Sequence, residues 1–201
     1  MLSLIKKQLQ HHTPSVIGVD QSYAVLLPLV DIEGQLHILY EVRANHISQP
    51  GDVSFPGGKV EPGETSAEAA LRETEEELGI PANHIQLLGE IDQIISGSHL
   101  IQCFVGKIAL KDYQNYRLNE EVARIFIQPL DYFQTHLPQY HELVMAPTLE
   151  DDFPYHLIQG GKDYPFHKRV RQVPFYQLNE HQAVLWGFTA ELTQHFVDII
   201  T

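Results

Sequence analysis

The sequence predicts a single α/β domain in which helices pack against a mixed β-sheet. Two observations support this class: β-rich segments lie on both sides of a well-marked helix, and an amphipathic segment closes the chain. The length of 201 residues suits one well-buried core, and 43% hydrophobic with 19% charged residues is an ordinary globular composition. Because the sequence has no repeat and no convincing linker, residues 1–201 are expected to form one unit.

The N-terminal half begins with a helical pattern and continues with β-like patterns. Residues 1–12 predict a short helix within an N-terminal extension that covers residues 1–21. Residues 22–30 and 35–43 predict two strands joined by the turn DIEG, and Pro28 favours a position near a sheet edge or at a bulge. Later β-like segments lie at residues 85–95, 100–110 and 123–130.

The C-terminal part, residues 131–201, is expected to elaborate the domain. Residues 131–176 contain many prolines, aromatic residues and histidines without a clear period, which predicts irregular structure with short strands. Residues 183–200 carry apolar side chains at helical spacing, so they predict an amphipathic closing helix.

The helix at residues 66–78 is the best-marked element. Thr65 and Glu68 have the spacing of a capping box, and Gly79 stands where a left-handed residue commonly ends a helix. At 100° per residue, one side forms the predicted core face. This face consists of Ala67, Ala70, Leu71, Thr74 and Leu78.

An acidic face on the same helix raises the question of function. Glu73, Glu76 and Glu77 fall at i, i+3 and i+4, beside the small Ala69. Like charges at this spacing repel one another, so these side chains either face solvent or hold a cation. Carboxylate oxygens suit hard cations such as Mg²⁺ or Mn²⁺. Helix geometry alone leaves both interpretations open.

The loop before this helix contains the segment FPGG at residues 55–58. Its two glycines allow the backbone to approach a ligand closely. A Walker-type phosphate loop is excluded, because that pattern needs glycine at Val53 and Ser or Thr at Val60. The loop is therefore a candidate ligand contact of another kind.

Charge and cysteine content restrict the partners. The formal net charge of −13 disfavours nucleic acids and anionic membrane surfaces, and an anionic substrate would need a cation beside it. Cys103 is the only cysteine, so no intrachain disulfide can form. No apolar run is long enough to span a bilayer, which together with the single cysteine predicts a cytoplasmic protein. The sequence leaves open whether the chain forms a homodimer.

Fixed residues around the acidic helix follow a longer pattern. Within residues 57–80, Gly58, Glu64, Arg72 and the glutamates that follow resemble the Nudix box, Gx5Ex7REUxEExGU, where U is a bulky aliphatic residue. Thr74 is the one departure, since it stands at a U position. The resemblance implies the Nudix α/β/α sandwich, with Mg²⁺ or Mn²⁺ as cofactor. It also implies hydrolysis of a small-molecule nucleoside diphosphate linked to another moiety.

The resemblance implies roles for the box residues as well. Glu73, Glu76 and Glu77 would bind the metal. Arg72 and Glu64 would orient these glutamates through ion pairs and hydrogen bonds.

The catalytic base has two candidate sources in such proteins, a box glutamate or a glutamate from a later loop. In this sequence the later candidate is the pair Glu120 and Glu121, which lies just before the predicted strand. Glu121 is favoured because it directly precedes Val122, as the matching glutamate does in the subfamily described next. The alternative for this pair is a solvated loop.

A second resemblance concerns the substrate. Residues 39–44 and 51–58 resemble the coenzyme A pyrophosphatase signature LLTxR(S/A)x3Rx3Gx3FPGG, and LWGFTA at 185–190 resembles the closing helix of that subfamily. The intervening NHISQP at 45–50 is one residue short and has no arginine. The resemblance implies cleavage of coenzyme A to 4′-phosphopantetheine and 3′,5′-ADP. The residues expected to contact the substrate are Arg43, Gly51, Phe55, Gly57 and Gly58.

Alternatives to this assignment stay open. The substrate could be ADP-ribose or another nucleotide sugar, which the shortened NHISQP segment favours. A Nudix-fold sensor that binds a nucleotide without cutting it is the third candidate, and the intact box glutamates argue against it. Arg43 could instead close its strand through a surface ion pair with Glu41 or Asp52.

Overall fold

The computed structural model describes residues 1–201, apart from the side chain of Leu110. Its α-helices are α1 (Leu2–Gln10), α2 (Ser66–Leu78), α3 (Leu110–Tyr113), α4 (Leu130–Thr135) and α5 (Gly187–Ile200). Its strands are β1 (Gln21–Ile32), β2 (Gln35–Arg43), β3 (Val53–Ser54), β4 (Gly57–Lys59), β5 (Ile85–Ser96), β6 (His99–Ile108), β7 (Val122–Pro129), β8 (Gln139–Met145), β9 (Arg169–Leu178) and β10 (Ala183–Trp186). Short 3₁₀ turns connect several of these elements.

The larger sheet is mixed, as the sequence predicts. Its hydrogen-bonded path runs β3–β2–β1–β6–β5, while β4 pairs with β1 and β7 pairs with β2. Strand β1 is antiparallel to β2 and β4 and parallel to β6. The predicted hairpin is confirmed, with Leu29 opposite Ile38 and Ile32 opposite Gln35. The three later β-like segments are also confirmed, as β5, β6 and β7.

Of the two positions predicted for Pro28, a sheet edge or a bulge, the edge is wrong, because β1 lies inside the sheet with β6 on one side. On its other side, β1 pairs with β4 up to Val25 and with β2 from Leu29, so Pro28 falls between the two partners. Leu26 directs its N–H to this side, where it donates to the carbonyl of Pro56. Alternation along the strand gives residue 28 the same direction. The N–H that proline lacks would therefore point to the place where β1 changes partners between β4 and β2.

The core has two parts, one on each face of the larger sheet. Alternation along β1 directs Leu26 to one face and Leu27 to the other. The first face packs against α2 through Ala70 and Leu78. The second face packs against α4 and α5, with Leu192 among the buried residues. Since the sheet lies between helices on both faces, the predicted α/β/α sandwich is confirmed.

The C-terminal part is more regular than the sequence indicates. Within residues 131–176, β8 and most of β9 replace the expected irregular structure, and they form a second, antiparallel sheet with β10. All residues of β8 are exposed. Because β8 has no buried face, its sequence lacks the alternation of apolar and polar residues that reveals a half-buried strand.

The closing helix begins later than predicted. Residues Ala183–Trp186 form β10 and pair with β9, so α5 starts only at Gly187. Gly187 has a φ of 63°, a left-handed conformation that suits glycine at this strand-to-helix turn. From there α5 is amphipathic as predicted, and it buries Leu192 and Phe196.

The N-terminal helix is confirmed as α1, yet none of its side chains is buried. Among the helices described, none has both the length and the apolar character to cross a membrane.

Candidate metal-binding active site

The glycines before α2 permit two close approaches of the loop. A Cβ atom at Gly57 would lie 2.4 Å from the carbonyl oxygen of Ala24 in β1. A Cβ atom at Gly58 would lie 2.4 Å from the carboxyl carbon of Glu73 in α2. The loop is therefore held between the sheet and the acidic helix at a distance that only glycine permits.

Both ends of α2 are capped as the sequence predicts. Thr65 and Glu68 form the reciprocal hydrogen bonds of a capping box, and Gly79 ends the helix in the left-handed conformation at a φ of 67°. Since the caps fix where the helix begins and ends, they also fix which residues face the sheet.

The core face of α2 agrees with the prediction only in part. Ala70, Thr74 and Leu78 are buried, whereas Ala67 and Leu71 are only half-buried. The side chains of Ala69 and Glu77, both predicted for the acidic face, are buried too. The loop accounts for this, because it covers the acidic side of α2.

Thr74, the departure from the box pattern, is satisfied within the helix. Its hydroxyl donates to the carbonyl oxygen of Ala70 at 2.7 Å. A buried hydroxyl that makes such a bond carries little penalty. The substitution therefore changes packing on the core side and leaves the acidic side untouched.

Arg72 contacts the carboxylates of three box residues. Its Nη2 and Nε donate to the two oxygens of Glu64 at 2.9 and 3.1 Å. Its Nη1 donates to Glu73 at 2.9 Å and to Glu76 at 3.3 Å. The bond to Glu64 is the largest cause that raises the pKa of Arg72. Arg72 thus lies where it can orient Glu73 and Glu76, the role that the box resemblance implies.

The three candidate metal ligands differ in environment. Glu77 is buried, and its Oε2 accepts a hydrogen bond from the N–H of Gly57 at 2.9 Å. The side chain of Glu73 is 18% exposed and that of Glu76 is 55% exposed. Among the side chains that the structure describes, no three His, Cys, Asp or Glu groups are gathered closely enough to hold a metal ion. Joint ligation by these three glutamates therefore stays a prediction.

Glu41 is a candidate site residue that the sequence interpretation missed. It is 2% exposed, so the surface ion pair considered for it is wrong. Its Oε1 accepts a hydrogen bond from the hydroxyl of Ser54 at 2.8 Å, while its Oε2 is buried and has no hydrogen-bond partner. One signal could have revealed it. Glu41 follows the buried Leu39 by two residues in an apolar strand, so both side chains lie on the face that packs against α2.

Several carboxylates act on one another in this region. The pKa of Glu77 is raised to about 9, first by burial and then by neighbouring carboxylates, of which Glu41 acts most strongly. Burial also raises the pKa of Glu41 to about 7, and the charges of Glu121 and Glu73 add to this shift. Burial raises the pKa of Glu73 although the bond from Arg72 opposes it. The site therefore concentrates negative charge that protons or cations must offset.

Glu120 and Glu121, the candidates for the catalytic base, differ in their electrostatic effect on the acidic site. The charge of Glu121 acts on Glu41, Glu73 and Glu77, whereas Glu120 is not among the causes that shift their pKa values. The carbonyl oxygen of Glu121 accepts a hydrogen bond from the N–H of Ala44 at 2.8 Å, which ties the start of β7 to the end of β2. Glu121 is thus the member of the pair that faces the acidic site.

Arg43 and Gly51 lie in the loop that carries the shortened signature. The guanidinium of Arg43 donates to the carbonyl and to the hydroxyl of Ser48, at 2.8 and 3.3 Å. Gly51 donates its N–H to the carbonyl of Arg43 and has a φ of 79°. The alternative of an ion pair from Arg43 to Glu41 or Asp52 is not found among the described side chains. Arg43 instead braces the loop.

Phe55 and Trp186 are two aromatic residues near this loop that differ in exposure. Phe55 is buried and stacks on Tyr40 with the ring centroids 5.3 Å apart, so its position is that of a core residue. Trp186 is 42% exposed, stacks on Phe175, and donates its Nε1–H to Asp52 at 3.4 Å. The segment before α5 therefore reaches the signature loop.

Comparison with known proteins agrees with this architecture. The mouse peroxisomal coenzyme A diphosphatase NUDT7 is 30% identical over 148 residues, which cover 72% of this chain and 57% of that protein. The human mitochondrial coenzyme A diphosphatase NUDT8 is 32% identical over 185 residues, which cover 89% of this chain and 69% of that protein. The chain spans about half the length of the first curated relatives it matches.

A solved structure supports the fold. The crystal structure of a MutT/nudix family protein from Enterococcus faecalis matches with a TM-score of 0.52 at 15% identity, covering 100% of this chain and 69% of that chain. Residues 21–149 match the NUDIX domain. They include β1, the box helix α2, and the loop that carries Glu120 and Glu121. The chain therefore belongs to the Nudix family.

Proposed function

We propose that the chain is a divalent-cation-dependent pyrophosphohydrolase that cleaves coenzyme A or its thioesters to 3′,5′-ADP and (acyl-)4′-phosphopantetheine. The observation that carries the proposal is the close approach of the Gly57–Gly58 loop to Glu73 and Glu77. This contact brings backbone groups able to meet a diphosphate next to carboxylates able to hold its counter-ion. The coenzyme A diphosphatases among the relatives and the partial signature support the choice of substrate.

The residues of the site fit a hard divalent cation. The buried Oε2 of Glu41 has no protein partner, and the pKa of Glu77 is raised first by burial and then by the charge of Glu41, so a cation would stabilise both carboxylates. We expect Glu73, Glu76 and Glu77 to hold Mg²⁺ or Mn²⁺. When bound, the cation neutralises the diphosphate and makes a water more acidic.

The chain's own residues then position the reactants. Arg72 donates to Glu73 and Glu76 and so orients both side chains, and the N–H of Gly57 holds Glu77. Glu121, whose charge acts on the cluster, would accept the proton of the attacking water. Because the site is strongly acidic, it disfavours the anionic substrate unless a cation is present.

The test is product identification. The protein is incubated with Mg²⁺ and, separately, coenzyme A, dephospho-coenzyme A and ADP-ribose, and the products are identified by mass. We expect 3′,5′-ADP and 4′-phosphopantetheine from coenzyme A, at the highest rate of the panel. A higher rate with ADP-ribose would overturn the coenzyme A assignment while leaving the pyrophosphohydrolase assignment in place.

A second candidate, hydrolysis of ADP-ribose or another nucleotide sugar, is favoured by one observation. The NHISQP loop lacks the arginine of the coenzyme A signature, and Arg43 is engaged with Ser48 within that loop. The third candidate, a sensor that binds without hydrolysis, predicts no products from any member of the panel.

A further inference from the structure

Glu41 combines deep burial with an oxygen that no protein group satisfies. Its side chain is 2% exposed, and the hydroxyl of Ser54 holds Oε1 at 2.8 Å. Oε2 is buried and accepts no hydrogen bond from any described group. Buried polar atoms almost always have a partner, so an oxygen in this state indicates a ligand that the protein alone does not supply.

The surroundings of Glu41 are acidic. Glu41 lies on the sheet face that α2 covers. The charges of Glu121 and Glu73 raise its pKa, and its own charge raises the pKa of Glu77. A hydrogen-bonded amide or hydroxyl would satisfy Oε2, but no described side chain donates to it. Such an arrangement favours a positively charged occupant.

The nearby arginines are engaged elsewhere. Arg72 donates to Glu64, Glu73 and Glu76 but makes no described bond to Glu41. Arg43, two residues along the strand, directs its guanidinium to Ser48. The charge of Arg43 lowers the pKa of Glu41 and so offsets its charge in part, but neither arginine bonds to Oε2. The partner of Oε2 must therefore come from outside the chain or be a proton shared with a neighbouring carboxyl.

We propose that Glu41 is a further ligand of the divalent cation, so that a carboxylate from strand β2 joins the helix glutamates in the metal site. The coenzyme A signature has threonine at this position, so the extra carboxylate is not part of the ligand set that the box resemblance implies. Ser54 orients the carboxylate by holding Oε1, which leaves Oε2 free for the cation. The inference rests on the metal dependence in the proposed function and not on the identity of the substrate.

The test measures metal binding without substrate. The metal-free full chain is titrated with Mn²⁺, and the remaining free ion is followed by electron paramagnetic resonance. We expect Glu41→Gln to weaken the tightest Mn²⁺ binding roughly tenfold or more, or to remove one bound ion, as loss of a direct ligand should cost at least as much as loss of an outer partner. The matched control is Glu142→Gln on the exposed strand β8, which should bind as the wild type does.

An unchanged Mn²⁺ isotherm for Glu41→Gln would overturn the proposal and leave Glu41 sharing a proton with a neighbouring carboxyl. If circular dichroism shows that Glu41→Gln does not fold, Ser54→Ala serves instead. This variant keeps the carboxylate but frees its orientation, so weaker Mn²⁺ binding supports the proposal and unchanged binding contradicts it. Failure of the coenzyme A assignment is separate, because it changes the products and leaves Mn²⁺ binding by the wild type intact.

Discussion

At the scale of single residues, the site is organised by which hydrogen bonds each carboxylate makes. Glu73 and Glu76 are paired with Arg72, whereas Glu77 relies on one backbone N–H and Glu41 on one hydroxyl. In the proposed metal site, carboxylates paired with Arg72 should lose little when the cation leaves, whereas the buried Glu41 and Glu77 should depend on it. The effects of substitutions should therefore differ within the cluster.

Glu77→Gln should lower turnover by orders of magnitude with the fold retained. The amide can still accept from the N–H of Gly57, but it brings no charge to the cation. The measurement is kcat with Mg²⁺, accompanied by circular dichroism. Glu75→Gln, on the same helix and bonded to the N–H of Ala82, is the matched control and should remain close to wild type. A nearly wild-type rate for Glu77→Gln would remove Glu77 from the ligand set.

Glu121→Gln should lower kcat with little change in KM, because accepting the proton matters in the transition state rather than in binding. Glu120→Gln is the control and should have a smaller effect, since Glu120 is not among the causes that shift the pKa values of Glu41, Glu73 and Glu77. Steady-state kinetics on both variants decide the matter. Small and equal effects would return the role of base to a box glutamate.

Arg43→Ala tests how the 3′-phosphate is recognised. We expect the wild type to hydrolyse dephospho-coenzyme A less well than coenzyme A, and the variant to narrow this gap. Ser48→Ala is the control, because it removes one bond that holds Arg43 and leaves the guanidinium in place. If Arg43 only braces the loop, kcat/KM should fall equally for both substrates.

At the scale of elements, the loop and the box helix act as one unit, and the two glycines contribute to it differently. The Cβ of Gly58→Ala would meet the flexible end of Glu73, while that of Gly57→Ala would meet the backbone of Ala24. Gly58→Ala should therefore displace Glu73 and lower activity with only a small fall in Tm. Gly57→Ala should lower Tm more strongly. Thermal unfolding and kcat for both variants measure this, and equal loss of stability would contradict it.

The sequence predicts the elements whose local signals are complete. Capping residues mark both ends of α2, and alternation marks the β1–β2 hairpin, so these were confirmed. The sequence predicts short strands within residues 131–176 but does not locate β8, because no face of it is buried. The prediction of helix for β10 is wrong, because its four apolar-rich residues fit either pattern. Short segments of this kind take their conformation from the strand they pair with, which sequence does not reveal.

The candidate site was predictable where the pattern was local and not where it depended on tertiary contact. The box residues lie within one helix and the preceding loop, and the contacts of Arg72 agree with the role that the box resemblance implies. For Glu41 the sequence holds one weak signal, its place two residues after the buried Leu39, and its role depends on the pairing of β2 with β3. Its charge had suggested a surface position, and the burial of a carboxylate is a property of the assembled site.

At the scale of the whole molecule, the acidic site should make stability depend on pH and on divalent cations. In EDTA, Glu41 and Glu77 have folded-state pKa values of about 7 and about 9, raised from an ordinary value of 4.5. Between pH 4.5 and these folded-state pKa values, the folded state therefore binds more protons than the unfolded state. The stability that these groups contribute is complete below pH 4.5 and is lost as the pH rises through their folded values.

We therefore expect the Tm in EDTA to fall between about pH 6 and about pH 9, and Mg²⁺ or Mn²⁺ to raise the Tm most at the upper end. EDTA should also abolish hydrolysis. Glu64 and Glu68 have lowered pKa values, so their titration lies below this window. The control is Glu77→Gln, whose Tm should depend less on pH. A Tm that is constant or rises across the window would contradict the prediction.

The parallel pairing of β1 with β6 determines when the site can exist during synthesis. It joins Gln21 to His99, with the box helix in the intervening chain, and Glu121 follows later still. Contacts between such distant segments form slowly, and a ribosome must release the chain beyond β7 before the last acidic group can reach the others. The proposed base therefore joins the site after the proposed metal ligands, which all precede it in the chain. In the finished domain, a cation bound as proposed would link helix α2 to strand β2.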